Sequence, residues 1–383
     1  MKKLLAVIIS LMLLCGCNKT ETPSNDVKHS GVWLSYSEVN SMLKGDFKAE
    51  FDSLIKNCRE LSINNLYIHT RAFGDSIYKS EYFPLNGLCD KYDFDILEYV
   101  ISVCHNNGIS VHAWINPYRI STSTVNIDEI GSESPAYKWL KDENTVNDKS
   151  VCFENGIYLN PAESEVRQLI LNGVREIIEI YDIDGIHYDD YFYPTQNEEF
   201  DKASYTLYKD NCENPLSLSD WRRTNVDLLI SGTYNAVKHQ NENVVFTVSP
   251  AADIDKNYNS LYADVSGWIK GGYIDAIIPQ LYFGFQYPDG NFKFDNLLRE
   301  WKSLSKVNKD VELYIGLAPY KAKPTLAADI PEWQENDDIV ARQLEIVKGD
   351  NAVNGYIYFS YSSLFGEDEE FKKQLDSIKE VLK

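Results

Sequence analysis

Eight short runs of apolar, β-branched and aromatic residues recur along the chain, and a helix-length segment follows each of them. The runs fall at residues 31–36, 66–70, 109–115, 185–191, 244–249, 276–282, 313–318 and 355–360. Apolar residues at three- and four-residue spacing mark helices at 48–61, 94–107, 163–181 and 220–240, with weaker ones at 261–270, 297–306, 337–348 and 369–383. Strands joined through helices pair in parallel, and eight such units are the number that closes a cylinder. The sequence therefore predicts an α/β fold, a (β/α)8 TIM barrel. An open, doubly wound sheet would carry a glycine-rich phosphate loop after an early strand, and the sequence has none.

Polar and aromatic residues gather where these strands end. The second strand runs into Arg71, the third into Asn116-Pro117-Tyr118-Arg119, and the fourth into Asp189-Asp190-Tyr191. The last four end in Ser249-Pro250, Gln280-Leu281-Tyr282, Pro319-Tyr320 and Ser360-Tyr361. Seven such ends in register describe the rim of one cavity, since barrel active sites form at the C-terminal face of the strands. The long connections, at 120–161, 194–219 and 321–336, lie on that same face, so extended loops are expected over a cleft.

The N-terminus carries a different signal. Lys2 and Lys3 precede an apolar run at residues 4–14, too short to anchor in a bilayer and of the size of a signal-peptide core. It ends in Leu14-Cys15-Gly16-Cys17, which resembles a bacterial lipobox. The expected organisation is a lipoprotein signal peptide at 1–16, a lipidated Cys17 with a polar linker through 29, and one barrel domain at 30–383. The chain would then be exported and held to the extracytoplasmic side of a membrane by lipid on Cys17. With 37 basic against 58 acidic side chains, the formal charge is −21, which repels phosphate backbones and argues against a nucleic-acid partner. Five further cysteines, at 58, 89, 104, 152 and 212, are scattered, without disulfide or zinc spacing.

The fourth strand, 184–194, supplies the chemistry. Side chains alternate along a strand, so with Ile186 packed outward, His187, Asp189 and Tyr191 face the barrel interior or its mouth. Asp190 falls on the opposite parity, although twist at a strand end can bring it to the rim. A carboxylate at the mouth suits glycoside cleavage, in which positive charge develops on the sugar ring. Asp189 is expected to attack or stabilise that ring, with Asp190 the favoured partner for acid or base work. Glu38, Asp75, Asp253, Asp255 and Asp289 are the other acids after strand ends, and a substrate N-acetyl group acting as nucleophile would remove the need for one. Arg71, Asn116, Tyr118, Arg119, His187, Tyr191, Gln280, Tyr282 and Tyr320 are expected to bind sugar, with rings covering pyranose faces and amides or guanidinia meeting hydroxyls. Trp33 and Trp114 lie inside strands and read as packing. His69, His112 and His187 sit at similar heights; they read as polar plugs bonded to neighbours, so no metal or other cofactor is expected, and a metal hydrolase is the minor alternative.

Several stretches together resemble a known family. Gly31-Val32-Trp33-Leu34, residues 67–74 with Arg71, 112–119, Tyr158-Leu159-Asn160-Pro161, 184–194, Ser249-Pro250 and Pro279 to Tyr282 are similar, in order, to glycosyl-hydrolase-like family ten. That resemblance implies a (β/α)8 barrel acting on a bacterial polysaccharide, with peptidoglycan or another N-acetylhexosamine glycan as the expected substrate. The fourth strand also resembles that of the α-amylase superfamily, where the aspartate five residues after an Asp-Gly aspartate is the nucleophile; Asp189 holds that place after Asp184. It departs from family-eighteen chitinases, because Tyr191 stands where their catalytic glutamate would be. No glutamate follows the fifth strand to match the amylase acid. A barrel that binds carbohydrate without cleaving it is the alternative reading.

Overall fold

A computed structural model of the protein describes residues 28–323 and 331–383. Cys17 and the rest of the N-terminal segment lie outside the described residues. Eight parallel strands close a barrel: β1 (His29–Leu34), β2 (Asn65–Arg71), β3 (Ser110–Ile115), β4 (Gly185–Tyr188), β5 (Val245–Val248), β6 (Ala276–Ile277), β7 (Glu312–Leu317) and β8 (Gly355–Phe359). Each strand pairs with the next in sequence, and β8 returns to β1 with Gly31 opposite Ile357.

The main helices around it are α1 (Phe47–Glu60), α2 (Ile96–His105), α3 (Ser164–Ile180), α4 (Leu218–Gln240), α5 (Val265–Gly271), α6 (Phe294–Ser305), α7 (Ile339–Gly349) and α8 (Glu369–Leu382). Their starts carry caps legible in sequence. Asp46, Asp95 and Ser217 accept backbone N–H bonds at the heads of α1, α2 and α4. The apolar stripes of the helices and the outward residues of the strands form one continuous layer of buried side chains between barrel and shell.

A second, smaller cluster fills the barrel itself. Trp33, Tyr67, Trp114, Ile278, Tyr314 and Ile357 pack there, with Phe359 above them. Imidazoles complete the filling: His112 stacks on Tyr67 at 4.2 Å, and His187 lies edge-on to the same ring at 4.9 Å. The interior is a packed plug, and space opens only at the C-terminal mouth.

Two strands are shorter than their apolar runs suggested. β6 stops at Ile277 because Pro279 has no N–H for the ladder; Gln280 keeps only single bridges to Ala251 and Gly316. β4 stops at Tyr188 because Asp189 Oδ1 accepts the backbone N–H of Tyr191 at 3.2 Å, a local bond that competes with strand pairing.

The long connections are structured. Arg119–Ser121, Val151–Phe153 and Ile157–Leu159 form a small antiparallel sheet beside the mouth. The loop after β4 contains a helix at Lys202–Asp210 and is clamped to α4 by Arg222, whose guanidinium meets Asp201 at 2.6 Å with both side chains fully buried. Arg222 also donates to Tyr262 Oη and to the carbonyl of Asn197, so its donors are shared among three partners.

Candidate active site

A cavity of about 300 Å³ opens at the mouth of the barrel. Trp33, Trp114 and Phe359 form its floor, Tyr282 and Tyr320 one wall, and Tyr36, Arg119 and Tyr191 another. Asp189 and Asp190 are the two carboxylates that line it, with His69, Ser249 and Gln280 around them. β4 ends just before this pair. The chain turns at Asp189, so both successive side chains face the cavity and strand parity no longer separates them.

Asp189 is 4% exposed and held on three sides. Its Oδ2 accepts from Trp114 Nε1 at 3.0 Å and from Asn116 Nδ2 at 2.5 Å, while Oδ1 takes the Tyr191 N–H. Burial raises its pKa above the usual carboxylate value, and the Arg119 charge and these donors oppose that rise. Asp190 has far less support. Its one side-chain partner is Gln280 Nε2, a long bond at 3.4 Å. Burial, and then the neighbouring Asp189 charge, push it up to about 7. Asp189 is therefore the better hydrogen-bonded carboxylate, and Asp190 holds its proton more readily than a free carboxyl.

The walls are aromatic and amphipathic. Tyr282 stacks on Phe359 and meets Tyr320 edge-on, each at 5.9 Å between ring centres. Arg119 lies 4.6 Å over Tyr191 and 4.9 Å over Phe73, and its Nε donates to the carbonyl of Ala72 at 3.1 Å. Tyr191 is 55% exposed, a free ring face at the rim. Ser249 Oγ is buried and meets no protein partner, while Gln280 Nε2 also donates to the Ser249 carbonyl at 3.0 Å.

Asp189, Arg119, Tyr191, Gln280, Tyr282 and Tyr320 are thus brought together as their positions predicted, and Asp190 joins them against its strand parity. Asn116 is not on the cavity wall; its amide stands behind Asp189. Three residues expected to bind sugar are placed elsewhere. Arg71 is 1% exposed and turned outward, over the Phe83 ring at 3.9 Å, because a register shift between His69 and Arg71 breaks the alternation of β2. Tyr118 belongs to the layer between barrel and shell, with its hydroxyl unpartnered. His187 lies beneath the floor, accepting from Trp33 Nε1 at 3.0 Å and bonded to Thr247 Oγ1 at 2.8 Å. Burial takes its pKa down to about 3, so it is a neutral plug.

Of the other acids, Glu38 receives the N–H groups of Ser35 and Ser362, Asp75 pairs with Asn86, and Asp253 and Asp289 cap short helices. None of them, nor Asp255, lines the cavity. Trp33, Trp114, Tyr36 and His69 do line it, although the sequence assigned the tryptophans to packing. Position along a strand does not reveal that an indole N–H meets a carboxylate on the neighbouring strand.

The profile of the family described as glycosyl hydrolase-like 10 matches residues 28–335. The chain belongs to that family. It is 33% identical over 334 residues to the glycosyl hydrolase YngK of Bacillus subtilis, covering 79% of this chain and 62% of that one. It is 27% identical to the glycosyl hydrolase DigH of Escherichia coli, covering 92% of this chain and 91% of that one. The chain thus spans less than two thirds of the Bacillus relative and nearly all of the Escherichia one. In fold it is similar to the glycoside hydrolase domain of PgaB (BpsB) from Bordetella bronchiseptica, with a TM-score of 0.58 at 13% identity over 93% of this chain and 98% of that one. It is also similar to a family GH18 chitinase from Cycas revoluta, with a TM-score of 0.53 at 10% identity over 92% and 99%. Family membership places the chain among glycosyl hydrolase-like proteins, and its paired carboxylates stand in an aromatic cavity at the barrel mouth.

Proposed function

We propose that the chain hydrolyses glycosidic bonds in a bacterial cell-envelope polysaccharide rich in N-acetylhexosamine, peptidoglycan strands being the first choice. The observation that carries the reading is the unequal carboxyl pair, Asp189 and Asp190, which among the described residues alone bring carboxylates to the cavity wall. Asp190, protonated near neutrality, gives its proton to the leaving glycosidic oxygen as the C–O bond breaks. Asp189, whose donors and the Arg119 charge favour its anion against the effect of burial, stabilises the positive sugar ring or bonds to it. The ring faces of Tyr282, Tyr320 and Tyr191 cover the apolar faces of the sugars, while Gln280, Ser249 and Arg119 meet their polar groups.

The lipobox at residues 14–17 supports the location: an exported protein tethered through lipid on Cys17, outside the cytoplasmic membrane, meets cell-envelope glycans directly. Purified peptidoglycan, with and without its peptides, and chitooligosaccharides test the substrate. Asp189→Asn should lower release of reducing ends by at least about 10²-fold while the variant melts as a folded protein. Wild-type activity in that variant would sink the assignment of Asp189; activity confined to glycans without N-acetylhexosamine would sink the substrate.

A further inference from the structure

Behind Asp189 stands a chain of hydrogen bonds whose directions can be worked out atom by atom. The backbone N–H of Tyr36 donates to His69 Nδ1 at 3.1 Å. That nitrogen must therefore present a lone pair, and the ring proton sits on Nε2. Nε2 lies 3.0 Å from Asn116 Oδ1, so it donates there. Arg119 donates to the same oxygen. With two donors on Oδ1, the Asn116 amide has one orientation, and its Nδ2 points at Asp189 Oδ2. The flipped amide would set NH2 against two donors and its oxygen against a carboxylate. The His69 ring also stacks on the Trp114 indole, with centres 3.3 Å apart, and that indole is the other side-chain donor to Oδ2.

We propose that His69 is a positioning residue for Asp189: through the Asn116 amide and the Trp114 ring it aims both side-chain donors at Oδ2 and leaves Oδ1 as the oxygen presented to the sugar. Oδ1 keeps one bond, from the Tyr191 N–H. A carboxylate whose one oxygen is doubly bonded and whose other is lightly bonded has a fixed plane and a defined reactive lone pair. His69 does this as a neutral ring, because burial and the nearby Arg119 hold its pKa well below the usual value. The charged and titratable groups facing the pair are Asp190, Arg119, Tyr191 and Tyr282 at Asp189, and Arg119, His187 and Tyr36 at His69. The inference rests on Asp189 being the reacting carboxylate.

Two readouts separate the inference from that reading. In the intact protein with 15N-labelled histidine, the His69 ring should show the Nε2–H tautomer and no titration between about pH 5.5 and 8. An Nδ1–H or doubly protonated ring would overturn the inference whether or not the protein cleaves glycans. His69→Phe keeps a ring on Trp114 but removes both nitrogens, and His69→Gln restores a donor toward Asn116. His69→Phe should lower kcat by at least about tenfold with KM within about twofold, and move the acidic limb of kcat/KM to higher pH. His69→Gln should recover most of the loss. Wild-type kcat and pH profile in His69→Phe would overturn the role; should that variant fail to fold, the tautomer decides. If no glycan is cleaved by the native enzyme, a raised Asp189 pKa in His69→Phe, read by carboxyl 13C titration, still supports the relay, and an unchanged one overturns it.

Discussion

Asp189 and Asp190 are neighbours in sequence and opposites in environment. Three donors surround the first, while the second has one long bond and a like charge beside it. The pH dependence follows from that difference. With Asp190 as the proposed acid, kcat/KM should fall as pH rises through about 7, and this limb should vanish in Asp190→Asn. Substrates with activated aryl leaving groups, which need no proton, should recover much of the activity of that variant; a silent variant on them would remove Asp190 from the acid role. Stability should respond in the matching sense. A folded carboxyl that holds its proton up to about 7, against about 4 in the unfolded chain, binds protons more tightly when folded. Its ionisation destabilises the fold progressively as pH rises between those values. Asp190→Asn should therefore raise the melting temperature more at pH 8 than at pH 5, and an equal gain at both would contradict the raised pKa.

Among the elements, two contacts outside the cavity determine whether its walls hold. Gly173 of α3 faces the outward-turned Arg71. An added Cβ would come within 2.7 Å of Arg71 Nη1 and 2.8 Å of the Phe83 ring. Helix propensity favours alanine over glycine by about 1 kcal/mol, but overpacking of buried groups costs about 1–3 kcal/mol. Gly173→Ala should accordingly lower the melting temperature, where an exposed helical glycine would raise it. Arg222 and Asp201 hold the loop after β4 against α4. Replacing Arg222 with Met leaves a buried carboxylate without its cation, at a cost of about 3–5 kcal/mol. Calorimetry or chemical denaturation should show that loss. Tryptophan fluorescence should show the loop around Trp221 loosening first, because Trp221 packs with Tyr205 and Tyr208 of the loop helix.

For the whole molecule, the barrel and its proposed tether make separate demands. The described barrel has no helix long and apolar enough to cross a membrane. Membrane attachment in the proposed arrangement therefore depends on Cys17. Cys17→Ser expressed in a bacterial host should leave the membrane fraction and lose incorporation of labelled palmitate, while its activity on soluble glycan fragments stays unchanged. A variant that fractionates like the wild type would remove the lipid anchor. The aromatic cavity should be indifferent to this change, because its described lining residues all belong to the barrel.

The eight-unit alternation, the helix caps and the clustering of polar residues at strand ends are local patterns, so one sequence was enough to determine the barrel class and the face that carries the site. The position of Asp189 follows from the same parity. Position beyond the last ladder bond does not, since a chain that has left the sheet no longer alternates: Asp190 enters the cavity for that reason. At β2 the alternation fails through a bulge, and Arg71 leaves the site. Tertiary structure alone decided what touches the carboxylates. Trp114 and Asn116 come from β3 and its end, His69 from β2, and Gln280 from beyond β6. The bonds of Trp114, Asn116 and Gln280 to the acids, and of His69 to Asn116, depend on strands brought side by side by closure of the barrel, and sequence distance carries no record of that geometry. The carboxyl pair is visible in the chain, and the unequal surroundings of its two members exist only in the folded mouth.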